Sequence, residues 1–134
     1  MERIVDASAA IALIVESEHT AAAREIFSFE AELAAPDVFI AETTNGIWNH
    51  RRTQAFSGEA VASLIERLSS RVALTSSALL VREAFAISIE LDHPVYDAFY
   101  IALALRKGAQ IATFDERLKR NVSGTKYASL IFNP

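Results

Sequence analysis

Asp6 closes an apolar run in "IVDAS", and Asp115 closes another in "IATFDERL". Asp97 lies inside the apolar stretch "VYDAFYIALAL", and Glu42 lies in "VFIAETTNGIWNHRR". An unpaired carboxylate is costly to bury, and residues 95–105 hold no Lys or Arg to partner Asp97. Should the four acids converge, they would repel. Two carboxylates about 4 Å apart oppose each other by about 4 kcal/mol at an effective dielectric of about 20. Such a group takes up protons or recruits a cation. All-oxygen donors, in a chain without Cys and with three histidines that share no ligand spacing, point to Mg²⁺ or Mn²⁺. A cation of that kind activates water and neutralises charge on a phosphoryl group.

Each acid also has an ordinary use. A short acid between strand and helix is a preferred cap, which suits Asp6 and Asp115. Asp97 follows Pro94 by about one turn and gains from the helix dipole. Its own face of the wheel holds Ile101 and Ala104, with Arg106 opposite. Glu42, Asn45, Asn49 and Arg52 form one polar stripe, with Ile40, Thr44 and Ile47 on the other side. His93, before Pro94, reads as a loop or cap residue. Trp48, Tyr96, Phe99 and Tyr100 read as core.

The elements that must carry these residues alternate. Strand-like runs are "RIVDA" at 3–7, "ELAAP" at 32–36, "RVALT" at 71–75, "QIATF" at 110–114 and "YASLIF" at 127–132. Helical periodicity fills the gaps at Ser8–Glu16, Thr20–Phe29, Asp37–Arg52, Gly58–Ser69, Ser77–Leu91, Pro94–Lys107 and Glu116–Asn121. Pro94 suits a helix start, Gly108 a helix end and Ser57 an N-cap. Strands alternating with helices predict an α/β fold, a three-layer α/β/α sandwich on a mainly parallel sheet of about five strands. In such sheets the functional crevice lies beyond the C-terminal strand ends, where Asp6 and Asp115 fall.

With 134 residues, half of them apolar and 22% charged, the expectation is one domain over residues 1–134. The absence of Cys excludes disulfides and fits a reducing compartment. The run "AAIALIV" at 9–15 is too short to span a bilayer and lacks a cleavage pattern, so a cytoplasmic protein without membrane contact is expected. Seventeen acidic residues against 13 basic ones give a net charge of −4. That balance offers no general attraction to nucleic acid, and no DNA binding by this chain alone is expected. Arg51, Arg52, Arg117, Lys119 and Arg120 are the candidates for local phosphate contacts, against the plainer reading of a solvated surface.

Taken in order, "VDASAAI", "AETTNGIW", "YDAFYIALA" and "ATFDERL" resemble the PIN-domain nucleases, most closely the VapC-type toxins of toxin–antitoxin pairs. The resemblance spans essentially the whole chain. It implies a metal-dependent endoribonuclease leaving 5′-phosphate and 3′-hydroxyl ends, with Asp6, Glu42, Asp97 and Asp115 as catalytic and metal-binding acids and Mg²⁺ or Mn²⁺ as cofactor. Ser8, Asn45 and Thr113 match positions that support the acids. The implied partners are an RNA substrate such as tRNA, a cognate antitoxin docking over the acidic pocket, and a second copy in a homodimer. An RNA-processing role without toxicity, or an inactive binding module, are the alternatives. Receiver domains and haloacid-dehalogenase-like phosphatases want further acids near Asp6 or after the third strand, where this chain has Ser8 and "TSSALL". Gly-rich phosphate loops are absent, since the glycines at 46, 58, 108 and 124 never cluster.

Overall fold

Strand β1 (Glu2–Val5) lies inside the sheet, and the chain assembles around it. The computed structural model describes residues 1–52 and 56–133. It places β2 (Glu32–Pro36) on one side of β1 and β4 (Ile111–Ala112) on the other, with β3 (Val72–Thr75) outside β2. Every pairing is parallel, in the order β3-β2-β1-β4. Parallel neighbours require long crossovers, and helices provide them. Helices α1 (Ala7–Ile14) and α2 (Thr20–Ile26) connect β1 to β2. Helices α3 (Val38–Trp48) and α4 (Gly58–Arg71) connect β2 to β3. Helices α5 (Val81–Leu91) and α6 (Val95–Lys107) lead to β4, and α7 (Glu116–Val122) follows it. Consecutive strand residues Ile4, Val5, Leu33, Ala34 and Ala35 are all buried, as strands covered on both faces require.

The helix ends follow from short-range chemistry. Ser57 caps α4 by accepting from the Ala60 amide. Pro94 stands at the α6 N-cap, and Gly108 ends that helix at φ +61°, a left-handed conformation natural to glycine. Gly46 has a different purpose. A Cβ there would stand 2.1 Å from Cδ1 of Ile11, so its absence lets α1 and α3 approach closely.

Three expectations change. The sheet has four strands rather than five. Residues 128–130 of the run 127–132 form a 3₁₀ turn, and only Ile131 bridges to Ile111. The Thr125 hydroxyl accepts from the Tyr127 amide at 3.1 Å, so local bonds there take the place of a ladder. Second, the helix expected over Ser77–Leu91 is a 3₁₀ turn at Ser77–Leu79 followed by α5. Asp37 holds that turn, accepting from the Ser77 amide at 3.0 Å and its hydroxyl at 2.6 Å, while Leu80 at the junction is fully buried. Third, α3 ends at Trp48, and the residues packed inward are Phe39, Thr43 and Ile47 rather than Ile40 and Thr44. Glu42, Gly46 and His50 flank that packed stripe, half-buried.

Candidate active site at the C-terminal edge of the sheet

The β1–β4 register pairs Val5 with Ala112, so the next residues, Asp6 and Thr113, leave the sheet side by side. Asp6 is the N-cap of α1, accepting from the Ala9 amide at 3.2 Å. Ser8, in the first turn, donates its hydroxyl to Asp6 Oδ1 at 2.6 Å, and the Thr113 hydroxyl donates to Oδ2. Ser8 Oγ in turn accepts from the Phe114 amide at 2.8 Å, and Thr113 Oγ1 accepts from the Asp115 amide at 3.0 Å. These bonds draw residues 113–115 out of the β ladder and fold them over the start of α1. That is why β4 stops at Ala112 rather than at Phe114. Asp115 then caps α7, with Oδ1 accepting from the Arg117 amide at 2.9 Å and the Leu118 amide at 3.2 Å.

Two helices bring the other acids. Glu42 on α3 accepts from the Tyr100 hydroxyl of α6 at 2.7 Å. Tyr100 itself is buried core, so its ring fixes the hydroxyl in place. Asp97, in the first turn of α6, has its Oδ2 2.6 Å from Nε2 of His93. The Asn121 side-chain nitrogen, on α7, lies 2.8 Å from Nδ1 of the same ring. The same nitrogen is 3.1 Å from Nε2, so the ring stands between Asp97 and Asn121.

The acids act on one another electrostatically. Burial pushes the Asp6 carboxyl up to about 6, partly countered by the bonds from Ser8, Thr113 and Ala9, with the Asp115 charge adding to the rise. Glu42 is also raised, first by burial and then by the charges of Asp97 and Asp115, against the lowering bond from Tyr100. The Tyr100 hydroxyl is pushed above its ordinary range by burial and by the charges of Glu42, Asp6 and Asp97. All four carboxylates therefore share one electrostatic neighbourhood. Among the described residues, no three Asp, Glu or His side chains are grouped tightly enough to enclose a metal ion as they stand. The donor chemistry nonetheless fits a hard divalent cation: oxygen donors only, and excess negative charge that raises its own members. Asp6 has both oxygens engaged, whereas the bonds described above use one oxygen each of Glu42, Asp97 and Asp115.

Residues 3–122 match the PIN domain family. The chain belongs to that family. It is 32% identical over 121 residues to Ribonuclease VapC3 of Pyrobaculum aerophilum, covering 88% of this chain and 92% of that protein. The PIN domain's fold is shared with Mycobacterium tuberculosis VapC20, a sarcin-ricin loop cleaving toxin, at TM-score 0.70 and 22% identity over 95% of this chain and 98% of that one. A toxin–antitoxin complex from Klebsiella pneumoniae contains a chain that aligns at TM-score 0.66 and 16% identity, covering 98% and 97%. At these identities the two structures speak for the fold.

Several residues stand differently from expectation in this PIN domain. Asn45 is exposed on α3, one turn from Glu42, and takes no part in the bonds that hold the acids. Trp48 and Tyr96 are 55% and 59% exposed, not core. Arg51 folds over the Trp48 ring at 3.6 Å and donates to the Trp48 carbonyl, while Lys119 lies 3.4 Å from Glu116. Sequence reasoning missed Tyr100, Asn121 and His93, and only for His93 did the spacing give a sign. The signal was there in its position four before Asp97, the spacing at which side chains on neighbouring turns meet.

Proposed function

We propose that this PIN domain, spanning residues 1–134, is a divalent-metal-dependent endoribonuclease and the toxin of a toxin–antitoxin pair. The reading is supported by the electrostatic influence that Asp6, Glu42, Asp97 and Asp115 have on one another and on Tyr100, beyond the end of β1, with Asp6 and Glu42 raised by burial and by neighbouring carboxylates. Asp6, Glu42, Asp97 and Asp115 would hold Mg²⁺ or Mn²⁺. A bound ion of this kind supplies an activated water and neutralises charge on the phosphate being cut. The chain's own residues do the positioning. Ser8 and Thr113 orient Asp6, Tyr100 orients Glu42, His93 orients Asp97, and the α7 amides orient Asp115.

Kinship with a ribonuclease supports the chemistry, and the fold shared with VapC20 and with a toxin–antitoxin complex supports the biological role. Exposed Arg117 and Arg120 on α7, next to Asp115, contact RNA phosphates. The cognate antitoxin covers the acids, and an exposed apolar face on α5, with Val81, Phe85 and Ile89, offers a homodimer surface. The work is cytoplasmic, where cellular RNA such as tRNA is met. Incubation of the purified protein with total RNA in Mg²⁺, in Mn²⁺ and in chelator tests the reading. Cleavage in either ion and none in chelator is expected; cleavage that persists in chelator, or none in any condition, defeats it.

A further inference from the structure

A cleft of about 320 Å³ opens beside the acids, between α1, the start of α2, the segment after β4 and His50 just beyond α3. Two residues belong to both places. Ser8, which donates to Asp6, lines the cleft, as does Phe114, whose amide donates to Ser8. The floor is apolar, formed by Ile11 and Val15. His19 and Phe114 form an aromatic wall, their rings stacked with centroids 4.6 Å apart and planes 14° from parallel. Glu16 lies exposed at the rim.

We infer that this cleft receives a nucleobase of the RNA strand next to the phosphate being cut, and that guanine fits it best; the inference rests on the ribonuclease reading above. A nucleobase is a flat ring with apolar faces and a polar edge. The cleft answers with an apolar floor, an aromatic wall and a polar rim, the combination that single-stranded RNA sites use. Its continuity with the acids through Ser8 sets the distance. A base seated here belongs to a nucleotide adjoining the site, not to a remote contact. Glu16 selects among bases because a carboxylate only accepts hydrogen bonds, and the Watson–Crick edge of guanine presents two donors side by side. Uracil and cytosine fill less of the floor, and adenine offers one donor group where guanine offers two. The role of the cleft is to read a base. It decides where the chain cuts.

The test uses short single-stranded RNAs varied one position at a time, cut by wild type, His19→Ala and Glu16→Gln in Mn²⁺. Both residues are partly or fully exposed, so the variants should keep the fold, which circular dichroism verifies. Wild type should favour guanine at one position beside the cut. His19→Ala should lower kcat/KM on the favoured RNA by about fivefold or more, the worth of one stacked base. Glu16→Gln should flatten the guanine preference by lowering kcat/KM on the favoured RNA toward that on the other sequences. Variants that retain the wild-type preference overturn the inference. Should wild type cut no RNA, the ribonuclease reading falls, and saturation-transfer NMR with guanosine 5′-monophosphate then judges the cleft alone. Saturation of the base protons in wild type and its loss in His19→Ala support the site; no saturation in wild type, or equal saturation in both, overturns it.

Discussion

His93 and Asp97 stand one helical turn apart across the start of α6, with Nε2 2.6 Å from Oδ2. The other side of the ring meets Asn121 on α7, the helix that Asp115 caps. One imidazole thus ties the acid of one helix to the helix that carries another. It orients Asp97 through Oδ2 alone, and the bond uses one of the two carboxylate oxygens.

Replacing His93 with Ala should therefore weaken metal binding by about 10- to 100-fold, the usual effect of removing a partner of a ligating group. The loss should recover at high Mn²⁺. Cleavage measured against Mn²⁺ concentration would show a rightward shift with a similar plateau; an unchanged curve would free Asp97 from dependence on the ring.

Asp6→Asn, Glu42→Gln, Asp97→Asn and Asp115→Asn should each lower RNA cleavage by more than about 100-fold, beyond what losing a supporting residue costs. Amides keep the shape while removing charge, and although Asp6→Asn must reverse or lose one of the bonds from Ser8 and Thr113, the far-ultraviolet spectrum should not change. Arg106→Ala is the control. That side chain pairs with Glu83 at 2.5 Å and donates to the Leu79 carbonyl, away from the acids, and cleavage should persist.

Asp6 makes the metal-free protein sensitive to pH. Its carboxyl rises from 3.8 to about 6 on folding, so between those values the native state holds a proton that the unfolded chain has released. Stability from this group is present below the unfolded value and is lost as pH rises through about 6, a change on the order of 3 kcal/mol. The raised Glu42 acts in the same direction. Denaturant melts in chelator from pH 4.5 to 7.5 should show a decline that Asp6→Asn reduces, and the variant should be the more stable of the two at pH 7. Mg²⁺ or Mn²⁺, binding the native state alone, should restore wild type at neutral pH. A flat wild-type profile would contradict the frustration that the burial of Asp6 implies.

RNA affinity should depend only weakly on salt. The net charge is −4, and two of the basic side chains near the site, Arg51 and Lys119, are already engaged within the chain. Few phosphate contacts release few counterions, so Arg117 and Arg120, at about 0.7 each on a single strand, should give a log–log slope between about −1 and −2. A slope several times steeper would reveal a cationic surface in the bound state.

What the sequence determined by itself is what neighbouring residues decide among themselves. Side-chain caps at Ser57, Asp6 and Asp115 and the glycine end at Gly108 involve partners a few positions away, and each was readable from residue type. Hydrophobic periodicity likewise marked all seven helices and the β2 boundaries, Glu32–Pro36. Tertiary structure decided what depends on distant partners. Thr113 reaches Asp6 across 107 positions and Tyr100 reaches Glu42 across 58, and no local pattern announces either bond. The same holds for the failed strand at 127–132, where a two-residue β4 has too little ladder to offer against local turn bonds. Trp48 had the composition of core, and only the seating of α3 on Phe39, Thr43 and Ile47 turned it outward. A residue's type limits what it can bond. Which partner comes within reach is settled by the packing of the whole chain.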